Sequence, residues 1–331
     1  MMRILYLILF TSISVAGMGQ ERPVIRNLVF EGGGIRGIAY CGSVIELEAQ
    51  GLVKHVEKVG GTSAGAIMAL TLSLGYSGKE IQEIIGGTNF KRFNDGRYLF
   101  FGGINRTNKY FGWYRGNRVE KWLEEVIKKK TGDAEITFEE LAKRGFKELY
   151  VTGTCLNKQQ LVIFSRHTYP NMKVKDAVRV SLSIPLYFEA VFIDREGRIV
   201  KRPRKKEGLD IMVDGGIIGN FPIRMFDSAG SNLATLGFRI DSEEQIKNDR
   251  LDKSIANMPV KNFNQYLAAF YNMIMENLNR QQLTADDWSR TVSISDGKIG
   301  PRIRRLSDEE VNVLINNGRD AIRDYFKVAA N

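Results

Sequence analysis

Short apolar segments in the first part of the chain run directly into glycine-rich turns that are followed by helical spacing. Residues 26–31 are mostly apolar and enter a glycine turn, after which residues 38–50 place apolar side chains at helical intervals. The pattern recurs where residues 56–59 enter a second glycine turn and a helix of small residues, 66–74. Two successive strand, turn and helix units predict parallel strands joined by crossover helices, so the expected fold class is α/β.

The rest of the chain continues the same pattern. Apolar runs predict four further strands, at residues 148–156, 160–164, 209–213 and 233–240. Helical spacing recurs at residues 117–130, 260–279 and 307–326. No linker rich in Pro, Gly or Ser divides the sequence. We therefore predict one catalytic domain over residues 20–331.

The N-terminus has a different pattern from the domain that follows it. Met1 and Arg3 precede an apolar run at residues 4–10, and small residues follow as far as Gly17. This order of zones is typical of a secretory signal peptide, and the apolar run is well short of the roughly 20 residues of a membrane-spanning helix. A retained anchor and a cytosolic first strand are the alternatives. We expect residues 1–19 to be a signal peptide and the protein to be exported, periplasmic or secreted, and able to associate with a membrane.

Composition and charge narrow the classes of partner. The 331 residues are 43% hydrophobic and 26% charged, enough to bury a large core, and carry a net charge of +10. This basic balance suits an anionic partner such as lipid headgroups or nucleic acid, but no nucleic-acid motif is present. The two cysteines, Cys41 and Cys155, lie inside apolar segments, and the two histidines are His55 and His167. We predict no metal site and no cofactor.

The second glycine turn matches the G-x-S-x-G pattern of a nucleophile elbow. Its residues are Gly61, Thr62, Ser63, Ala64 and Gly65. In such a strand-to-helix turn the backbone is strained and the flanking residues nearly touch, so glycine is needed on both sides of the serine. The five-residue pattern is weak by itself, but its position between a predicted strand and a predicted helix favours Ser63 as a nucleophile over an ordinary glycine turn.

The first glycine turn admits two functional interpretations. Its residues are Gly32, Gly33, Gly34, Ile35, Arg36 and Gly37, which also satisfy G-x-G-x-x-G. In a dinucleotide-binding protein an acidic residue follows about 20 positions later, and Glu57 lies near that distance but precedes the end of its strand. In a hydrolase the loop amides would form an oxyanion hole, where losing one donor costs roughly 3 to 4 kcal/mol of catalysis. Because the next strand leads into Ser63, we predict the oxyanion hole; an ordinary structural turn is a third alternative.

A serine nucleophile needs a base, and the sequence offers few histidines for that role. Both histidines lie in polar contexts typical of exposed loops. Asp214 ends an apolar strand and is followed by Gly215 and Gly216, which leave room for a group to approach its carboxylate. A free aspartate with a pKa of about 3.9 is a weak base, so partial burial is required to raise that pKa. We predict a Ser63–Asp214 dyad; an aspartate that only caps a turn is the alternative.

The three motifs in this order, G-G-G-x-R-G, G-T-S-A-G and D-G-G, resemble those of the patatin-like phospholipases. The resemblance extends over most of residues 26–328 and includes residues 177–185 and the N-F-P sequence at 220–222. It implies a modified α/β-hydrolase-like sandwich with a mostly parallel central sheet flanked by helices, hydrolysis of lipid acyl esters and no metal. Glu31 departs from the small residue or aspartate of many relatives, but this does not affect the dyad.

Two further segments suggest contact with lipid. Aromatic residues between 98 and 114 indicate either a lipid-facing flap or part of the core. A basic segment, which we predict at a hairpin tip, suits either an anionic membrane surface or a solvated loop. Its cations are Arg195, Arg198, Lys201, Arg202, Arg204, Lys205 and Lys206.

The expected function is a lipid acyl hydrolase of the phospholipase A or lysophospholipase type, acting on a lipid or phospholipid through an acyl-serine intermediate. A non-catalytic lipid-binding or nucleotide-binding protein that uses the glycine loop is the alternative.

Overall fold

The computed structural model describes residues 24–96, 100–251, 282–301 and 303–328, with scattered positions between 255 and 280. The predicted signal peptide, residues 1–19, and most of the predicted helix at 260–279 lie outside the described residues. Within the described part, no helix is both long and apolar enough to cross a lipid bilayer.

Ten strands are present in the described residues, and eight of them form the central sheet. Their bounds are β1 Asn27–Phe30, β2 Lys58–Gly61, β3 Gly112–Tyr114, β4 Glu148–Cys155, β5 Gln160–Phe164, β6 Leu186–Phe188, β7 Val191–Ile193, β8 Asp210–Asp214, β9 Thr235–Asp241 and β10 Thr291–Ser295.

The strands β10, β9, β1, β2 and β4 are parallel neighbours in that order. The strands β5 and β8 pair with β4 in the antiparallel sense, and β7 pairs with β8. The remaining strands, β3 and β6, form a separate two-stranded parallel sheet. Strand β1 is fully buried, as expected for a strand whose two faces are both covered.

The described helices pack around this sheet. Their bounds are α1 Ala39–Ala49, α2 Ala64–Ser73, α3 Gly78–Gly86, α4 Phe100–Tyr110, α5 Asn117–Thr131, α6 Phe138–Lys143, α7 Val174–Ser181, α8 Gly216–Gly219, α9 Glu243–Arg250, α10 Ala285–Ser289 and α11 Asp308–Val328. Helices α1 and α11 pack against each other, while α2 and α7 both pack on β4. The predicted α/β class with a mostly parallel sheet flanked by helices is therefore confirmed.

The two strand, turn and helix units predicted at the start of the chain are present. Strand β1 leads through the glycine loop into α1, and β2 leads directly into α2. The two strands pair in parallel, with Phe30 opposite Gly61 in the register. The turn after each strand therefore leaves the same end of the sheet, and the glycine loop lies beside the turn that contains Ser63.

Candidate active site

Ser63 occupies a strained position between β2 and α2. Its backbone has a φ of 51° and a ψ of −118°, a conformation that a residue with a side chain rarely adopts. The flanking glycines explain how the turn closes: a Cβ on Gly61 would lie 2.4 Å from the carbonyl oxygen of Gly65, and a Cβ on Gly65 would lie 2.2 Å from that of Phe30. The segment Gly61–Gly65 therefore makes a sharp turn between β2 and α2.

Strand β4 brings Ser63 and Asp214 together. Val151 pairs with Gly61 of β2 and with Phe164 of β5, whereas Gly153 pairs with Val162 of β5 and with Asp214 of β8. Because β5 follows one edge of β4, the strands β2 and β8 must share the other edge. They run in opposite directions, so their carboxyl ends face each other across Thr152.

Asp214 is 2% exposed and interacts with the side chain of Ser63. Burial raises the pKa of its carboxyl to about 6, although hydrogen bonds from the Gly216 amide and the Ser63 side chain partly lower it. The Gly216 nitrogen lies 2.8 Å from Asp214 Oδ1. A carboxylate with this pKa is charged at neutral pH and accepts a proton more readily than an exposed aspartate does.

The turn after Asp214 packs tightly on the elbow. A Cβ on Gly215 would lie 2.2 Å from the hydroxyl oxygen of Thr152. That hydroxyl lies 2.6 Å from the hydroxyl of Thr62, which also donates to the carbonyl oxygen of Gly219 at 2.8 Å. These contacts fix the strand ends that carry the two members of the predicted dyad.

The glycine loop contacts the elbow directly. A Cβ on Gly37 would lie 2.8 Å from the Cβ of Ala64, so only glycine allows α1 to begin this close to α2. Gly34 has a φ of 56°, and a Cβ there would lie 2.4 Å from the carbonyl oxygen of Pro301. The loop is therefore held between the elbow and the residues that precede α11.

The amides of the predicted oxyanion hole differ in what they contact. The Gly32 amide donates to the carbonyl oxygen of Asn220 at 3.0 Å, and the Ile35 amide faces that of Pro301 at 3.5 Å. Within the described residues, no protein acceptor is recorded for the amides of Gly33 and Gly34. Of these two residues, Gly34 also lines the cleft that contains Ser63.

Arg36 contacts neighbouring residues of the fold and does not line the cleft. Its Nε lies 3.3 Å from the carbonyl oxygen of Gly33, and its terminal nitrogen lies 3.4 Å from Asp296. The hydroxyl of Tyr40 donates to the carbonyl oxygen of Glu31 at 2.8 Å. Both interactions secure the backbone at the start of the glycine loop.

An apolar cleft opens in front of Ser63. It is bounded by the glycine loop, by the start of α2 and by the segment that follows α7. Its apolar side chains include Ile38, Ile67, Ile85, Phe90, Leu182 and Ile184. Such a lining matches an alkyl chain, and the lining residues that the structure describes include no cation for a pyrophosphate.

Two serines that sequence reasoning did not select support this site. The Ser63 amide donates to the hydroxyl oxygen of Ser181 at 2.8 Å, and the Asp214 amide donates to the carbonyl oxygen of Ser183 at 2.9 Å. Both serines are buried. The only sequence signal was their place in residues 177–185, the segment that fits the family pattern.

The histidines lie outside the cleft. His55 ends a short 3-10 helix and is exposed. The Nε2 atom of His167 lies 3.4 Å from a carboxylate oxygen of Glu148, and its side chain is 57% exposed. Neither residue borders the cleft around Ser63.

The basic segment lies in the connection between the antiparallel strands β7 and β8. Three of its cations face carboxylates: Arg198 faces Asp194 and Glu196, Lys201 faces Glu120, and Arg202 faces Glu189. Lys206 lies 4.5 Å from the ring centroid of Phe111. The other three, Arg195, Arg204 and Lys205, are exposed, with no ion pair recorded among the described residues.

The part of the chain that the structure describes contains no group of three or more His, Cys, Asp or Glu side chains placed to hold an ion. Cys41 and Cys155 are buried free thiols.

Comparisons with known proteins agree with this arrangement. A family model described as patatin-like phospholipase matches residues 28–227, more than half of the chain. The protein YqhO of Bacillus subtilis is 32% identical over 207 residues, which cover 60% of this chain and 65% of that protein. A probable lipid hydrolase, 463L of Invertebrate iridescent virus 6, is 27% identical over 199 residues, covering 60% and 62%. The chain thus spans just under two thirds of the length of these two relatives.

Solved structures share the fold. VipD from Legionella pneumophila superimposes with a TM-score of 0.58 at 17% identity, covering 92% of this chain and 67% of VipD. A chain in the complex of SpcU with ExoU from Pseudomonas aeruginosa gives 0.50 at 16% identity, covering 93% and 53%. At these identities the likeness concerns the fold alone.

Proposed function

The chain belongs to the patatin-like phospholipase family, and on this premise we propose that it is a lipid acyl hydrolase with Ser63 as nucleophile and Asp214 as base. One observation carries the proposal: a serine in a strained elbow interacts with a buried carboxylate at the mouth of an apolar cleft. The viral relative described as a probable lipid hydrolase supports the same class of substrate.

The proposed reaction uses the chain's own groups in two steps. Asp214 takes the proton of the Ser63 hydroxyl while Oγ attacks the carbonyl carbon of an acyl ester, and the negative oxygen is held by the amides of Gly33 and Gly34. The tetrahedral species collapses to acyl-Ser63, and the leaving alcohol receives the proton from Asp214. Water then attacks the acyl group with Asp214 again as base, which releases a fatty acid and restores Ser63.

The apolar cleft supports an acyl substrate over a nucleotide. A pyrophosphate at the glycine loop would need cations nearby, whereas the side chains around Ser63 are mostly aliphatic or aromatic. Arg36, the one cation in the loop, already faces Asp296. The non-catalytic alternatives, a lipid-binding or nucleotide-binding protein, predict that Ser63 has no special reactivity.

Labelling with a fluorophosphonate, followed by peptide mass spectrometry, tests the proposal. We expect an adduct on Ser63 in the wild type and none in Ser63→Ala. Asp214→Asn should abolish ester turnover, while His55→Ala and His167→Ala should keep most of it. Folded wild-type protein without an adduct on Ser63 would contradict the hydrolase, and loss of turnover in either folded histidine variant would contradict the dyad.

The type of phospholipase activity and the location of the protein in the cell are part of the same proposal. A panel of phospholipid, lysophospholipid and neutral ester substrates separates phospholipase A from lysophospholipase activity. We propose that the protein is exported after removal of residues 1–19 and that its basic segment contacts anionic lipid. N-terminal sequencing of the mature protein tests the first point, and salt-dependent binding to anionic vesicles tests the second.

A further inference from the structure

Leu186 is unusually exposed for its residue type. Its exposed fraction is 68%, the highest among the exposed large hydrophobic residues in the described part of the chain. Its φ is 66°, in the left-handed region that favours glycine. A leucine that is both exposed and strained contributes little to folding at this position, so another role has to explain it.

The strained backbone of Leu186 coincides with a break in the alternation of buried and exposed side chains along β6. In a regular strand, residues two apart share a face, so Leu186 and Phe188 of β6 would be buried together. Phe188 is indeed 3% exposed, whereas Leu186 is turned out to solvent. The backbone is held in this form by hydrogen bonds from the amides of Tyr187 and Phe188 to the carbonyl oxygen of Ile184, at 3.1 and 3.0 Å.

Leu186 lies at the edge of the cleft. The residues two before and two after it, Ile184 and Phe188, both line the cleft that contains Ser63. Leu186 is exposed, so this short stretch of chain carries an aliphatic side chain from the cleft lining out to the protein surface.

Two cations of the basic segment contact the residues that precede β3, the strand that pairs with β6. Gly112 of β3 pairs with Leu186, and the residue before it, Phe111, lies under the ammonium group of Lys206 at 4.5 Å. Arg202 lies 5.6 Å from the ring centroid of Tyr110 in the same segment. An exposed aliphatic side chain whose strand partner adjoins the residue under Lys206 suits a surface with apolar chains beneath negative headgroups.

We propose that Leu186 inserts into the surface of an anionic lipid aggregate and holds the entrance of the Ser63 cleft against it. The inference rests on the proposed function for the role of the cleft, but insertion itself needs no catalysis. The partner is a lipid surface rather than a protein, because the residues on either side of Leu186 line the apolar cleft and the segment paired with it contacts Lys206.

Two variants and one matched control test the inference. Leu186→Asp replaces the apolar side chain with a charge that anionic lipid repels. Leu186→Gly removes the side chain and suits the left-handed backbone, so the fold is retained. Leu233→Asp is the control: Leu233 is 53% exposed, but it precedes β9 at the end of the sheet opposite to Ser63.

Each protein is compared in two measurements. The first is sedimentation with vesicles of phosphatidylglycerol and phosphatidylcholine, made with Ser63→Ala so that the lipid stays intact. We expect both Leu186 variants to bind roughly tenfold more weakly or worse, since burying a leucine contributes at least a factor of ten. Leu233→Asp should bind as Ser63→Ala alone does.

The second measurement is turnover of a short monomeric ester and of the same vesicles. Leu186 variants should lose vesicle turnover but hydrolyse the monomeric ester at the wild-type rate. Unchanged vesicle binding in both variants, or a parallel loss on the monomeric ester, would overturn the inference. If the wild type binds vesicles through Leu186 but hydrolyses no ester, the proposed function fails and the insertion stands.

Discussion

The backbone amide of Ser63 donates a hydrogen bond to the hydroxyl of Ser181, with a nitrogen-to-oxygen distance of 2.8 Å. Ser181 ends α7, and two residues later the carbonyl oxygen of Ser183 accepts the amide of Asp214. One short segment therefore contacts both the proposed nucleophile and its proposed base. Its intervening residue, Leu182, also lines the cleft, so this segment connects substrate binding with the geometry of the dyad.

Replacing Ser181 with alanine should slow catalysis more than it weakens substrate binding. The partly buried Ser63 amide would lose its acceptor, which costs about 1 kcal/mol or more, and the strained elbow would be less firmly held. We expect kcat to fall roughly 10-fold or more with KM little changed. Steady-state kinetics and the rate of fluorophosphonate labelling measure the effect.

Two controls accompany Ser181→Ala. Ser181→Thr keeps a hydroxyl and should restore most of kcat. Ser73→Ala removes another buried serine, whose hydroxyl donates to the carbonyl oxygen of Lys147, and it should lower stability but leave kcat unchanged. If Ser181→Ala and Ser73→Ala reduce stability equally and neither changes kcat, Ser181 has no positioning role.

Activity should rise with pH through the pKa of Asp214. Burial raises that pKa to about 6, and the carboxylate accepts the Ser63 proton only when it is charged. The logarithm of kcat/KM on a neutral ester should therefore increase with a slope of about one below pH 6 and level off above it. A profile between pH 4.5 and 8.5 measures this, and a profile that is flat over the whole range would exclude Asp214 as the base.

The same carboxyl should destabilise the folded protein at neutral pH. Its folded-state pKa lies above the ordinary value of 3.8, so the folded protein gains stability as the pH falls through about 6 towards 4 and loses it as the pH rises again. The difference between 3.8 and about 6 corresponds to about 3 kcal/mol. Asp214→Asn, although inactive, should therefore unfold at higher denaturant concentration than the wild type at pH 7.5.

The pH dependence of this difference is the decisive measurement. Urea unfolding of both proteins at pH 4 and pH 7.5 should show a gain for Asp214→Asn that is large at pH 7.5 and small at pH 4. Other titrating groups cancel because both proteins carry them. A gain that is equal at the two pH values would mean that the carboxyl is not protonated more readily in the folded state.

The sequence predicted the parts of the site that depend on backbone crowding. A Cβ would collide with a neighbouring residue at Gly61, Gly65 and Gly37. Close packing at these positions requires glycine, and a glycine is visible in the sequence. The apolar runs likewise predicted β1 and β2 as parallel neighbours, although β2 lies at Lys58–Gly61, two residues later than expected.

Other features leave no signal in a single sequence. Strand β8 runs antiparallel to β4, and this brings Asp214 to Ser63. An apolar run in the sequence does not show whether its strand pairs in the parallel or the antiparallel sense. The three-residue strands β3, β6 and β7 are too short to show a period. Ser181 is an ordinary polar residue in a buried helix, and only the fold shows that its hydroxyl reaches Ser63.

Adding one methyl group at Gly37 should uncouple the glycine loop from the elbow. The new Cβ would lie 2.8 Å from that of Ala64, so the loop must shift away from Ser63. Displacing oxyanion donors by even about 1 Å can reduce the rate roughly 100-fold. Kinetic assays of folded Gly37→Ala should show a large loss of kcat. Gly230→Ala is the control, because a Cβ there meets nothing within 4 Å.

A second change should reverse the first. Ala64→Gly removes the methyl group with which the new side chain collides, so Gly37→Ala combined with Ala64→Gly should recover part of the lost kcat. If the single Gly37→Ala variant keeps full activity, the loop does not depend on contact with the elbow, and the proposed donors at Gly33 and Gly34 lose their structural support.

Removing the carboxylate of Glu31 should destabilise the protein and loosen the glycine loop. Glu31 is buried beside Arg239, with an oxygen-to-nitrogen distance of 3.1 Å, and it also accepts from Asn220, whose carbonyl oxygen holds the Gly32 amide. Asp241 still faces Arg239 at 3.4 Å, so the expected cost is that of buried donors left without an acceptor, about 1 to 3 kcal/mol. Urea unfolding of Glu31→Ala should show a loss of that size.

An exposed ion pair provides the matched comparison for Glu31→Ala. Glu57 faces Arg26, and both side chains are more than half exposed, so Glu57→Ala should change the free energy of unfolding by less than about 1 kcal/mol. Glu31→Gln keeps an oxygen that can accept from Asn220, so its loss of unfolding free energy should lie between those of Glu31→Ala and Glu57→Ala. Equal effects of Glu31→Ala and Glu57→Ala would mean that the buried pair of Glu31 and Arg239 does not secure the loop.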